Sequence, residues 1–399
     1  MISETEALSL LLDAVPKGVG AESLPLLDCL HRRSSMQVRA TLALPGFDNS
    51  MMDGYAVRAI ETQTTEPLNV VSTQSAGPDL QLSLQAPRQA IRIYTGAPVP
   101  AGADAVIMQE DILRGGDTIV CQDPVSIGEN IRRKGSDLCP GQLLLQPGDR
   151  LTPGRLGLLA SQGLTHTSVY RLPRIAILST GDELVPAGTA PLLPGQLYNS
   201  NGLMLAALLK EGGFPVGELT HSRDTLEETT HTLQRLQPHH DIILLSGGVS
   251  VGDKDFVKPA LNALGLPPRI WRIQVKPGKP FLFAHQQSPK PLFVFGLPGN
   301  PVSAFVTFQL FVRPALLKWT GAPESELPLP ATDAILDQDL SNPGDRPHYL
   351  RGQLQDGVFR VGGLQRSDAL FALAQSNALL RMEPGQRLNQ GTTVAILRV

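Results

Sequence analysis

The stretch Asp241-Ile-Ile-Leu-Leu-Ser-Gly-Gly-Val-Ser-Val-Gly-Asp-Lys-Asp-Phe256 follows an apolar run with three glycines, two serines and two acids. Glycines at 247, 248 and 252 let a backbone turn tightly and approach a ligand. Three chemistries compete for it. Gly248-Val-Ser-Val-Gly252 matches the G-x-S-x-G elbow with Ser250 as nucleophile, but no His-Gly-Gly-Gly loop accompanies it and only His285 and His348 follow it. A phosphate-binding P-loop requires Gly-Lys-Ser/Thr, whereas Gly252 is followed by Asp253-Lys254-Asp255. The third chemistry is a metal-assisted phosphate site, with Asp253 or Asp255 offering hard oxygen ligands to a cation such as Mg2+. The other acid of the pair would cap the helix that follows.

Other charged groups are spaced as if to join this loop. Asp182 and Glu183 follow a Thr-Gly turn, and Asn199-Ser-Asn-Gly202 opens a helix whose free N–H groups suit an anion, or simply provides its cap. Asp224 stands where a helix cap is expected, before Thr225. Two basic clusters offer local anion contacts, Arg132-Arg133-Lys134 and Lys276-Pro-Gly-Lys279-Pro280. The first reads equally as a solvated turn, while in the second a glycine and two prolines fix the backbone around two lysines. Leu297-Pro-Gly-Asn-Pro301 is a turn made rigid by its prolines.

The elements that must position these groups follow from hydrophobic periodicity. Four consecutive aliphatic residues at 242–245 read as a strand buried on both faces. After Pro173 a regular alternation begins: strands at 174–179, 216–220, 241–245 and 292–296, and helices at 201–211, 225–236, 256–264 and 301–319. That order implies a doubly wound, mostly parallel α/β sheet, which puts the 179–183, 246–255 and 296–301 segments on one edge, where such sheets bind ligands. Residues 1–40 read as mainly helical, with an amphipathic helix at 5–14 and a second through Leu30-His31-Arg32. Short apolar alternations between Pro/Gly turns, such as 90–94 and 105–108, give a small β-rich domain. A helix is expected near 154–161, and short strands return after about residue 327. The expected division is a helical linker domain (1–43 with 138–170), a β-rich domain (44–137), the α/β catalytic domain (171–323) and a C-terminal β-barrel-like domain (324–399).

Composition narrows the function classes. The 399 residues can bury several cores, and no apolar run approaches the roughly 18 residues of a membrane span. A net charge of −3 offers no general attraction to nucleic acid or an anionic membrane. The acidic start, Met1-Ile-Ser-Glu-Thr-Glu6, argues against a secretory signal. Cys29, Cys121 and Cys139 lack C-x-x-C spacing, which argues against disulfides or a zinc site and for a cytoplasmic protein.

Taken in order, six segments resemble the molybdopterin molybdenumtransferase family of molybdenum-cofactor biosynthesis, which includes the C-terminal domain of gephyrin. They are Asp48-Asn-Ser-Met-Met-Asp-Gly-Tyr-Ala56, Tyr94-Thr-Gly-Ala-Pro-Val-Pro-Ala-Gly-Ala-Asp-Ala-Val106, Ser179-Thr-Gly-Asp-Glu183, Ser246-Gly-Gly-Val-Ser-Val-Gly252, Lys276-Pro-Gly-Lys-Pro280 and Leu297-Pro-Gly-Asn-Pro301. The resemblance implies insertion of molybdate into adenylylated molybdopterin, with Mg2+-dependent loss of AMP. It implies Glu183, Asp224 and Asp255 at the metal, with Asp53 and Asp137 as further acids of the site. It implies Arg132, Ser250, Lys276, Lys279, Pro298, Pro301, Arg351 and Ser376 at the substrates. Ser250 then becomes a hydrogen-bonding residue rather than a nucleophile. A homodimer, with Asp53 and Asp137 acting across its interface, is implied as well, together with contacts to other cofactor-biosynthesis proteins. An adenylyltransferase or a gephyrin-like scaffold is the alternative; the first usually has the sheet domain alone with a Gly-Gly-Thr-Gly loop.

Overall fold

The computed structural model describes residues 1–249, 255–288 and 290–399. The chain divides into two compact units, one made of Met1–Met36, Pro147–Leu156 and His166–Val399, the other of Gln37–Gln146 and Gly157–Thr165.

The first unit is built on a six-stranded sheet in the order Val216–Ser222, Ile175–Thr180, Ile242–Ser246, Leu292–Leu297, Leu282–Gln286, Ile270–Trp271. The first four strands are parallel and the last two antiparallel. Alternate residues of the apolar runs feed two separate cores, because successive side chains point to opposite faces. Ile175, Ile177, Ile242, Leu244, Phe293 and Phe295 face one way, where the helix Ser200–Glu211 covers them with Leu205 and Leu209. Ala176, Leu178, Ile243, Leu245, Leu292 and Val294 face the other way, under Leu233 and Leu236 of Leu226–Leu236 and Ala260 and Leu261 of Val257–Ala263. The four-aliphatic run at 242–245 is therefore a central strand, buried throughout.

The first core is closed by the N-terminal helix Glu4–Ala14, through Ala7 and Leu11, and by the long apolar segment from Pro301. Ser3 caps that N-terminal helix by accepting the Glu6 N–H at 3.2 Å. The 301–319 segment is helical as expected, but with a π-turn at Phe308–Val312 between Pro301–Thr307 and Arg313–Trp319. The π-turn runs up to Arg313-Pro314, where the proline ring nitrogen has no N–H for the helical ladder.

Three expectations are corrected. Residues 1–40 are not mainly helical: Ala21–Pro25 is a strand, paired antiparallel with His166–Tyr170. The second expected helix, through Leu30-His31-Arg32, is only a 3-10 turn at Leu26–Cys29. Pro25 forces its predecessor into extended backbone, and His31 stands at φ 65, outside helical geometry. The antiparallel pair Leu282–Gln286 and Ile270–Trp271 was not foreseen, its short runs being interrupted by Pro267, Pro268 and Pro280.

The C-terminal region of this unit is a closed barrel of Ala331–Leu336, Val358–Val361, His348–Gln355, Ala378–Met382 and Thr393–Arg398. Its strand His348–Gln355 touches both ends of the chain's history. Tyr349 donates its hydroxyl to Glu4 at 2.5 Å, and Arg381 of the neighbouring strand donates Nε to the other Glu4 oxygen at 3.2 Å.

The second unit holds a curled six-stranded sheet ordered Ala105–Met108, Gly54–Val57, Gln89–Ile93, Leu68–Gln74, Thr118–Cys121, Ile112–Gly115. Gly54 is obligatory, since a Cβ there would lie 1.8 Å from the Ile107 carbonyl oxygen.

Candidate active site

In-register pairing brings the carboxyl ends of the parallel strands level, with Ser179 opposite both His221 and Ser246, and Ser246 opposite Leu297. The turns leaving these strands surround a cleft of about 650 Å³. Gly247 and Gly248 make the first turn at φ 92 and 64. A Cβ on Gly248 would lie 2.8 Å from Thr180 Oγ1 and from a Val257 methyl, so the backbone approaches as only glycine allows. Thr180 Oγ1 itself is buried at the cleft wall with no hydrogen-bond partner among the described residues.

Asn201 stitches the turns together, donating Nδ2 to Ser246 Oγ at 3.1 Å and to the Gly299 carbonyl at 2.7 Å. Asn199 caps the helix Ser200–Glu211 by accepting the Gly202 N–H, and also accepts the Ser179 hydroxyl. Asp182 and Asp224 exchange backbone N–H bonds, each carboxylate accepting from the other residue at 3.3 and 3.1 Å. Asp224 is therefore not a helix cap; Thr225 performs that role by accepting the Glu228 N–H. Nor is Asp255 the cap of Val257–Ala263, a position taken by Phe256.

Glu183, Asp224, Asp255, Pro298 and Pro301 all line this cleft. The barrel adds Asp368 and Leu370. Neither was read from the sequence; their only signal was that Asn300, beside Pro301, would need a partner. Asn300 Nδ2 donates to Ser367 Oγ at 2.8 Å, and Val302 donates its N–H to the Ser367 carbonyl at 3.1 Å, tying the barrel loop to the helix start. Ser250, with Asp253, lies outside the described residues.

The remaining site residues lie behind or away from the cleft wall. Lys276 and Lys279 are exposed on either side of Pro277-Gly278, and Pro280, next along, reaches the cleft. Lys276 is held by the barrel, donating its N–H to the Pro347 carbonyl and accepting that of Tyr349. Arg351 is buried and does not line the cleft; its guanidinium donates to the carbonyls of Leu364 and Arg366, while its Nε has no partner. Burial lowers its pKa, with Asp368 acting in the opposite sense. Burial also lowers the His348 imidazole, and the neighbouring Lys276, Arg351 and Arg346 push it further, to about 4. Cations thus gather beside cations. Ser376 turns its hydroxyl back to the Ala372 carbonyl at 2.8 Å, and it does not line the cleft.

In the second unit, Asp53 accepts both the N–H and the hydroxyl of Thr95, at 2.8 and 2.7 Å, and these bonds hold its carboxyl below the usual range. Arg132 is exposed on a two-residue strand paired with Asn49–Ser50, and Asp137 is exposed with its N–H on the Leu44 carbonyl. Asp48 accepts from Arg133 at 2.7 Å.

A mostly parallel sheet with glycine turns and acids at its carboxyl edge, together with a C-terminal barrel, defines a mixed α/β protein with its main cleft at the sheet edge. Three family models cover the chain: MoeA N-terminal region (domain I and II) at residues 2–163, probable molybdopterin binding domain at 176–318, and MoeA C-terminal region (domain IV) at 333–399. The molybdopterin molybdenumtransferase of Haemophilus influenzae is 36% identical over 403 residues, 99% of this chain and 98% of that protein. That of a Nostoc species is 34% identical, covering 100% of this chain and 94% of the relative. The solved structure of the molybdopterin biosynthesis MoeA protein of Pyrococcus horikoshii OT3 superposes with a TM-score of 0.84 at 28% identity, covering 100% of both chains. The chain belongs to the molybdopterin molybdenumtransferase family, transferases of molybdenum-cofactor biosynthesis.

Proposed function

We propose that this protein inserts molybdenum from molybdate into adenylylated molybdopterin and releases AMP. The observation that carries the reading is the pairing of two unsatisfied buried groups, Thr180 Oγ1 at the acidic cleft and Arg351 Nε in the cation cluster behind it. A buried polar atom without a partner is costly unless a ligand completes it. Lys276, Arg346 and Arg351 around a neutral His348 suit a small dianion such as molybdate, while the glycine turn and the start of Ser200–Glu211 offer backbone donors to a phosphate.

The donors at the cleft fit Mg2+. Glu183, Asp224 and Asp255 supply hard oxygens from three strand ends, and among the described residues no three His, Cys, Asp or Glu converge into a closed cage. Mg2+ commonly takes one or two carboxylates and completes its shell with water and substrate phosphates. When bound, the ion supplies Lewis-acid polarisation of the phosphoanhydride. Glu183, Asp224 and Asp255 would hold that ion or its waters; Lys276 and Lys279 would neutralise substrate charge, and Pro298 and Pro301 fix the turn against which the pterin-bearing substrate would lie. Ser250 and Ser376 hydrogen-bond the substrates in this reading, Ser376 from the end of the Leu370–Ala374 helix that it closes.

The working form in this proposal is a cytoplasmic homodimer in which Asp53, Asp137 and Arg132 of one subunit complete the site of the other, and which exchanges substrates with other cofactor-biosynthesis proteins. The four-part division at residues 43, 137, 170 and 323 belongs to the same reading. The test is to incubate the purified protein with adenylylated molybdopterin, Mg2+ and molybdate and to follow AMP. Release should depend on molybdate, and Glu183→Ala should reduce it by roughly a hundredfold or more while the protein stays folded. AMP release that ignores molybdate would sink the proposal.

A further inference from the structure

The same three strands that end at the cleft begin at a second cavity, of about 480 Å³, lined by Val19, Arg171, Arg174, Asp241, Lys290, Pro291 and Trp319. Arg174 immediately precedes the strand Ile175–Thr180, Asp241 the strand Ile242–Ser246, and Lys290-Pro291 the strand Leu292–Leu297. Asp241 is buried and accepts from Arg171 Nη1 at 2.9 Å and from the Arg174 N–H at 2.9 Å; Arg174 Nη2 and Lys290 Nζ lie at 3.4 and 3.6 Å. One buried carboxylate needs one cation, and here three converge on it, leaving the cavity lining with a surplus of two positive charges.

That surplus is held in place rather than free to disperse into solvent. Lys290 also donates to the carbonyls of His240 and Pro238, at 2.9 and 3.2 Å. Arg171 lies over the Trp319 ring, 5.7 Å from its centroid, and Trp319 returns a hydrogen bond from Nε1 to the Arg171 carbonyl. Repulsion is registered in the lysine: burial lowers its pKa, Asp241 opposes this, and Arg174 and Arg171 lower it further. We propose that this cavity is a second anion site, at the amino edge of the sheet, which takes a phosphate group through Arg171, Arg174 and Lys290. A phosphate dianion matches the surplus in charge, and the guanidinium forks of two arginines suit its oxygens. The group comes either as inorganic phosphate or on a small phosphomonoester. This assignment is independent of the chemistry proposed for the cleft.

Trp319 reports on the cavity directly, so the full-length Trp271→Phe protein is titrated with inorganic phosphate and with glycerol 3-phosphate at ionic strength held constant with chloride, following tryptophan emission. A saturable change is expected with phosphate. Arg174→Gln and Lys290→Gln should each move its midpoint up by roughly tenfold, as expected for loss of a charge-assisted contact, while Lys290→Arg restores it. Glu183→Gln, at the other edge, should leave the midpoint alone. A lower midpoint for glycerol 3-phosphate identifies a phosphomonoester as the ligand, and equal midpoints identify the phosphate group alone. The proposal is overturned if phosphate gives no saturable change, if folded Arg174→Gln and Lys290→Gln titrate like the parent, or if Glu183→Gln is the variant that loses the response.

Discussion

The two edges of the parallel sheet treat charge in opposite ways. At the amino edge, cations converge on an acid and bond to it, so that Asp241 sits at the centre of its own counter-charges. At the carboxyl edge and in the barrel behind it, Glu183, Asp224, Asp255 and Asp368 line the cleft while Lys276, Arg346 and Arg351 surround His348. Like stands with like there, and Thr180 Oγ1 and Arg351 Nε are buried without a partner among the described residues. The difference lies in where counter-charge comes from. At the amino edge a buried acid ties its cations to one another, strengthens the fold and leaves a cationic surplus, whereas at the carboxyl edge and in the barrel like charges stand together without such an internal partner.

Asp241→Ala is the strongest challenge to that contrast. Burial acts to raise the Asp241 carboxyl, but hydrogen bonds from Arg171 and Arg174 outweigh it and bring it to about 2. Removing one partner of a buried ion group costs about 3 kcal/mol, which chemical denaturation will read as a lower midpoint. Because the folded pKa is depressed, the contribution is complete above the unfolded value near 4 and disappears as pH falls towards 2. The parent should therefore lose stability across that window and Asp241→Ala should lose less of it; parallel acid curves would show that the amino edge does not strengthen the fold as argued.

His348 offers a medium-sized test on the other side. Its folded pKa of about 4 lies below the usual 6.5, so the unfolded chain binds the extra proton first. Stability is full above pH 6.5 and is lost as pH falls towards 4, by about 2 kcal/mol between pH 7 and 5. His348→Gln should flatten that part of the pH profile, and saturating molybdate should also flatten it in the parent. A molybdate-insensitive profile would place the oxyanion elsewhere.

Thr180→Val is the smallest and cleanest change. Replacing a buried hydroxyl that has no partner by a methyl should leave the ligand-free melting temperature unchanged or slightly raised, while weakening substrate binding by roughly 0.5–1.5 kcal/mol. Loss of stability together with unchanged KM would mean that the hydroxyl serves the fold and not the ligand.

Much of the sheet was legible because its signal is local. The run Ile242-Ile-Leu-Leu245 reads as a doubly buried strand, and Glu183 and Asp255 lie in the segments that follow such strands, so the topology carried them to one cleft. Asp368 was not legible, since its place depends on Ser367 meeting Asn300 and Val302 across more than sixty positions of sequence. Ser376 and Arg351 carry structural bonds that residue type does not announce: Ser376 closes a short helix, and Arg351 anchors the Leu364–Arg366 backbone by two of its nitrogens while its Nε is left over. The helix expected at 30–32 failed because His31 adopts a left-handed backbone that hydrophobic periodicity does not encode, after a strand ending at Pro25.

Glu4, held by Tyr349 and Arg381, sets an order of events during synthesis. The helix Glu4–Ala14 leaves the ribosome first, and its polar anchor is made more than three hundred residues later. Until the barrel strands emerge, Ala7 and Leu11 can cover the sheet core and Ile2 can pair with Arg272 and Gln274, but the Glu4 carboxylate lacks both of its side-chain partners. Contacts so distant in sequence delay completion of the fold. A nascent chain stalled before residue 349 should therefore show an amino terminus less protected from protease than its sheet, and release of the barrel should raise protection at the amino terminus.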